Sequence, residues 1–156
     1  MKILLVVDLQ EEFRDADGQF ERILDFVKRA KKTGGYEKVI ATKCLNREDC
    51  AFMRYEAWDD CLQGAKPLPF VPDEVLEKYS YGLPDYGLLD PNAHYDIVGF
   101  NTEACVLKIA LDLFDRNFDF CLLGEYCYSS EGREHHARGL AVAEALLGTS
   151  FVPPRS

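Results

Sequence analysis

The stretch KILLVV, residues 2–7, decides the fold. A short, unbroken apolar run rich in branched side chains is a strand covered on both faces; a strand with one wet face would alternate apolar and polar residues. Working outward, FERILDFVKRAKK (20–32) places Phe20, Ile23, Leu24, Val27 and Ala30 at helical spacing, and Gly34 and Gly35 stop it. YEKVIATK (36–43), YDIVGF (95–100) and FDFCLLGEY (118–126) read as further strands. TEACVLKIALDLFDRN (102–117) reads as a helix with Val106, Ile109, Ala110, Leu113 and Phe114 on one face, and EHHARGLAVAEALLG (134–148) as a last helix ended by Gly148. The tail TSFVPPRS (149–156) offers an edge strand before its prolines. Strands alternating with helices predict an α/β fold: a three-layer α/β/α domain, Rossmann-like, with a mostly parallel, doubly wound sheet. The 156 residues fit a single domain spanning 1–156. Residues 43–72 are too long for a plain connection and are expected to serve function or to hold short elements of their own.

Composition narrows the function classes. A net charge of −9 argues against nucleic acid and against an anionic membrane surface, both of which bind through Lys and Arg. No apolar run approaches the roughly 20 residues that cross a bilayer. The apolar start is too short for a secretion signal, and Asp8 interrupts it, so a cytoplasmic location is expected. The six cysteines form no Cys-x-x-Cys pair, which disfavours zinc-ribbon and thioredoxin-type chemistry. Cys44, Cys50 and Cys61 lack metal-finger spacing and a fourth ligand.

In parallel sheets ligands bind beyond the carboxyl ends of the strands. That rule selects Asp8, the segment from residue 43 onward, and residues 99–105. Cys105 falls near the third residue of a helix capped by Asn101 or Thr102, where the macrodipole and free N–H groups favour a thiolate. The same N–H groups suit a developing oxyanion. Asp8, ending a buried strand, is either a loop cap or the group that takes and returns the thiol proton, with Gln10 and Phe13 lining the same pocket. A thiolate beside a carboxylate calls for a cation, and LEKYSYGLPDYGLLD (76–90) offers Lys78 among apolar and aromatic neighbours; the competing reading is a lysine snorkelling from a strand edge. In the long loop, Asn46, Arg47, Arg54 and Trp58 are candidates for substrate contact, Arg54 for a carboxylate and Trp58 for a flat group.

Three motifs in order, DLQEEF (8–13), EKYSYGL (77–83) and GFNTEACV (99–106), resemble the Asp-x-Gln-x-x-Phe, lysine and Gly-x-x-Thr-x-x-Cys-Val signatures of the isochorismatase-like cysteine hydrolases, which include nicotinamidases and N-carbamoyl-amide hydrolases. The resemblance runs from residue 2 to about 147. It implies an Asp8, Lys78 and Cys105 triad that cleaves a small amide or related C–N bond through a Cys105 thioester. It also implies a non-proline cis peptide at Phe100–Asn101, with the Ala104 and Cys105 N–H groups as the oxyanion hole. Relatives associate as dimers or tetramers, so a homo-oligomer is expected, with Phe52, Tyr55 and Trp58 helping to close a neighbour's site. Nicotinamidases carry an Asp-x-His metal site after the second strand. Here TKCLNREDCAFMRYEAWDDC (42–61) has no histidine, so no metal and no other cofactor is expected. Two other classes stay open: a non-enzymatic module that binds a small metabolite in the same pocket, and a thiol redox protein with a resolving cysteine near Cys105.

Overall fold

A computed structural model describes residues 1–153. Five parallel strands form one sheet in the order β3-β2-β1-β4-β5: β1 (Lys2–Val7), β2 (Lys38–Cys44), β3 (Glu74–Lys78), β4 (His94–Phe100) and β5 (Asp119–Tyr128). α1 (Gln19–Thr33) covers one face; α3 (Leu107–Asp115) and α4 (Arg133–Leu147) cover the other, and a short α2 (Ala51–Glu56) lies in the loop after β2. The alternation of the pleat is visible in β1. Ile3, Leu5 and Val7 join the core beneath α3 and α4, while Leu4 and Val6 join Phe20, Ile23 and Val27 of α1. All five are essentially without solvent exposure, which is why the run carries no polar residue.

Four of the five strands coincide with the runs read from the sequence; β3 is the addition. EVLEK alternates, with Val75 and Glu77 exposed on one face and Leu76 and Lys78 buried on the other, where Glu74 stands half-buried at the start of the strand. Its parallel pairing with β2, Cys44 opposite Lys78, fixes where that lysine emerges.

Two other expectations change. The segment 102–117 is not one uniform helix: Thr102–Val106 form a wide π turn, in which Val106 N–H reaches back to Asn101 O at 3.2 Å, before α3 begins. Phe114 lies at the rim of the apolar stripe, 42% exposed against Phe151, whereas Asp112 is buried, with the Tyr86 hydroxyl donating to it at 2.5 Å. The tail forms turns over residues 149–152 rather than an edge strand; Gly148 O accepts the Phe151 and Val152 N–H groups, leaving one sheet-like bond from Leu122 N–H to Phe151 O at 2.6 Å. Residues 154–156, at the end of the tail, lie outside the described residues.

Two glycines set the close approaches that shape the site. Gly99 has φ +125°, and a Cβ there would sit 2.0 Å from Val7 O, so β1 and β4 meet at this level only through glycine. A Cβ on Gly139 would lie 2.5 Å from Glu103 N and Cα, so α4 packs directly on the π turn.

Candidate active site

The strand order reverses between β1 and β4, and the polar side chains gather beyond the carboxyl ends there, as expected at a switch point. Asp8 follows β1 in a left-handed conformation, φ +45°, a region that aspartate tolerates better than most residues. Thr42, from the neighbouring β2, accepts the Asp8 N–H at 3.0 Å and donates its hydroxyl to Asp8 Oδ1 at 2.6 Å. The other carboxylate oxygen, Oδ2, lies 2.9 Å from Lys78 Nζ, and among the described residues it has no further hydrogen bond. Lys78 Nζ also donates to Ser80 O at 2.8 Å and to Cys105 Sγ at 3.2 Å. Asp8 and Lys78 are fully buried and Cys105 is 7% exposed, so the acid, the amine and the sulfur meet in one water-poor place.

The turn bearing Cys105 is held from several sides. The Phe100–Asn101 peptide is cis. The Asn101 side chain donates to Ser130 Oγ and accepts from Ser130 N–H, both at 2.9 Å. Thr102 Oγ1 and His136 Nδ1 are 2.7 Å apart, and Ser129 donates to Glu103 at 2.7 Å. One expectation needs correcting: the Ala104 N–H, assigned to an oxyanion hole, donates to Asn101 O at 3.1 Å. The wide first turn lets that one carbonyl collect both the Ala104 and Val106 N–H groups.

Electrostatics correct a second expectation. A helix-start position alone would lower the thiol pKa, but burial pushes Cys105 well above the ordinary thiol range. The Asp8 carboxylate pushes the same way, and the Lys78 ammonium only partly offsets them. For Lys78 burial works downward, yet the Asp8 carboxylate beside it works upward and the ammonium is held above its usual range. The resting state is therefore a neutral thiol beside a buried carboxylate–ammonium pair.

A cavity of about 430 Å³ opens above the sulfur, lined by Phe13, Phe52, Trp58 and Tyr81 and by Asn101, Ala104 and Ser130 among others. Phe13 and Trp58 stack with centroids 6.1 Å apart, and Phe52 meets Trp58 and Tyr81 edge-on at 5.1 and 5.0 Å. A larger, more open groove between residues 80–87 and α3 contains none of the three central groups. Phe13, Phe52 and Trp58 all line this cavity. Tyr55 is 77% exposed.

Gln10, Asn46 and Arg54 are placed otherwise. The Gln10 amide clamps both polar groups of the Cys44 backbone, at 2.6 and 3.1 Å, tying the end of β2 to β1. Asn46 is 4% exposed and fully occupied: it donates to Trp58 O and Asp60 O and accepts from Arg47 N–H and the Cys50 thiol. Buried polar groups need partners, and these two side chains find them in the backbone. Arg54 is exposed and donates to Asp49 O, off the cavity wall. Thr42 and Cys44 were not anticipated. The signal for Thr42 was a polar residue inside an otherwise apolar strand; nothing local marks Cys44, whose thiol burial pushes up to about 12.

The donor set for a metal can be judged from the same geometry. Among the described residues no histidine lines the cavity. Among the described residues the one converging His/Cys/acid group is His94, Asp96 and Cys121, toward the amino ends of β4 and β5, at the opposite end of the sheet. The side chains lining the cavity therefore do not fit a histidine-ligated metal at the cysteine.

Similar architectures are known. An isochorismatase-like hydrolase from Alkaliphilus metalliredigens superposes with a TM-score of 0.74 at 19% identity, covering 97% of this chain and 93% of that one. A pyrazinamidase of Pyrococcus horikoshii in complex with zinc gives 0.75 at 21%, covering 97% and 96%, and the nicotinamidase of Staphylococcus aureus gives 0.65 at 19%, covering 99% and 98%. No protein-family model and no curated protein matches the chain. These likenesses establish the isochorismatase-like α/β fold.

Proposed function

We propose that the chain is an isochorismatase-like cysteine hydrolase that cleaves a small amide or related C–N bond through a thioester on Cys105. The observation that carries this reading is the position of Lys78 Nζ, 2.9 Å from Asp8 Oδ2 and 3.2 Å from Cys105 Sγ, beneath a substrate-sized cavity. A buried lysine between an acid and a thiol is hard to explain as packing, because desolvating the charges is unfavourable unless they serve something.

In the proposed cycle the Cys105 sulfur attacks the amide carbon as Asp8 takes the thiol proton. Starting from a neutral thiol fits this order, since the proton moves only when a carbonyl is in place. Asp8 then hands the proton to the leaving nitrogen, the C–N bond breaks, and the amine departs. Water attacks the thioester, Asp8 takes the water's proton and returns it to the sulfur, and the acid product leaves. Lys78 holds and aims the Asp8 carboxylate, and offsets negative charge on sulfur. The Cys105 N–H is the principal oxyanion donor in this reading; the Ala104 N–H contributes only while shared with Asn101 O.

The reading includes a small-molecule substrate, a cytoplasmic setting and a homo-oligomer, dimer or tetramer, which sedimentation tests. No helix among the described residues is long and apolar enough to cross a membrane. The deciding experiment assays ammonia or amine release from a panel of small amides, carbamoyl compounds and ureas. The wild type should turn over at least one of them, and Cys105→Ser should lose at least about a thousandfold in rate. Turnover by Cys105→Ser at the wild-type rate refutes the mechanism.

A further inference from the structure

The cavity above Cys105 has a one-sided charge. Four carboxylates line it, those of Glu12, Glu56, Asp60 and Glu131, against a single cation, Arg14. That cation is already committed: its guanidinium pairs with Glu11 and Glu21 and lies over the Phe20 ring. Lys78 is likewise neutralised by Asp8. Arg54, which the sequence offers for a substrate carboxylate, is off the wall. No uncommitted positive group therefore waits for an anionic substrate among the lining residues.

One of the four acids stands out. Glu12 accepts the Lys66 N–H through Oε1 at 2.5 Å, but its Oε2 is buried without a hydrogen-bond partner. Among the described residues Glu12 has no ion-pair partner, so the carboxylate on this wall is balanced by no cation of the chain itself. Beside Glu12 stand the stacked rings of Phe13 and Trp58, with Phe52 edge-on to Trp58. Aromatic faces next to a negative charge attract organic cations both through their ring quadrupoles and through their apolar area.

We propose that the substrate carries a cationic group, an ammonium or guanidinium, beyond its scissile carbonyl, received by Glu12 and the Phe13/Trp58 wall. This deepens the hydrolase reading and rests on it for the identity of the carbonyl end, while the cation site can be measured on its own. Trp58 is the chain's single tryptophan, so its emission reports occupancy directly.

The test titrates the Cys105→Ala protein, which binds without turnover, with aminovaleramide and with its neutral isostere hexanamide. Quenching of Trp58 should show aminovaleramide binding at least about tenfold more tightly at low salt, with the advantage shrinking as salt rises. Glu12→Gln in that background should bring the two ligands close together. Glu56→Gln should give a smaller loss of the same preference, and serves as the test if the first variant does not fold. Equal binding of the two ligands, or a preference that survives both substitutions unchanged, overturns the proposal. Wild-type hydrolysis of neutral amides with no cationic preference overturns this inference and leaves the hydrolase standing. Preferential binding without release of ammonia from any amide supports the cation site and counts against the hydrolase.

Discussion

Replacing Lys78 with methionine tests the centre of the site, because the structure says what is left behind. The side chain keeps its length but loses the ammonium that lies 2.9 Å from Asp8 Oδ2. Asp8 Oδ1 retains the Thr42 hydroxyl, the only other neighbour left is the weakly donating Cys105 thiol, and water cannot step in, since the Asp8 side chain is 1% exposed. Removing one member of a buried pair costs about 3–5 kcal/mol, a large part of the roughly 5–15 kcal/mol that holds a domain together. The loss should depend on pH with a definite sign. In Lys78→Met the stranded carboxylate takes up a proton in the folded state, whereas the unfolded aspartate releases it at about pH 4. The native state then binds more protons, so stability falls as pH rises. Urea melts followed by Trp58 emission at about pH 5 and about pH 8 should show the variant closer to wild type at the lower value. The double variant Lys78→Met/Asp8→Asn, which removes both charges, should recover most of the lost stability and no amidase activity. A loss below about 1 kcal/mol at both pH values would refute the reasoning, since the acid would then be relying on solvent rather than on the lysine.

Three further outcomes follow from other parts of the molecule. Because burial beside Asp8 pushes the thiol up, labelling of Cys105 by iodoacetamide should keep climbing as pH passes the ordinary thiol value of about 8.5; a plateau by neutral pH, read by mass spectrometry, would contradict the assigned direction. Gly139→Ala drives a methyl group into Glu103 N and Cα, and should cost about 1–3 kcal/mol, seen as a fall of several degrees in Tm, with a drop in kcat as the nucleophile turn shifts. Asn46→Ala removes the side-chain hydrogen bonds that tie Asn46 to Trp58 O and Asp60 O across the long loop, so Trp58 emission should move to the red and the loop should become the first site of proteolysis while the sheet persists.

How much of this was legible beforehand varies with the range of the interaction involved. β1, β2, β4, β5 and the flanking helices could be read because each buries a face whose period is written in neighbouring residues. β3 was harder: EVLEK is short, half polar, and becomes a strand through its pairing with β2. Gln10 and Asn46 have the residue types of ligand-binding groups, and only their backbone partners, Cys44 in one case and Trp58 and Asp60 in the other, show that they build the loop instead.

The linear order of residues by itself determined the layered α/β architecture, the end of the sheet where chemistry would gather, and the three residues worth suspecting, because apolar period and strand-terminal position are local properties. Tertiary structure alone decided that Asp8, Lys78 and Cys105 touch, that the thiol rests protonated, and that the cavity above it is negative. The first two depend on groups from the ends of β1 and β3 and the turn after β4 being brought out of water together, and the third on acids from the segments after β1, β2 and β5 meeting over one cavity. Desolvation, together with the Coulomb interactions of groups packed this closely, overrides what any one segment would dictate for its own side chain.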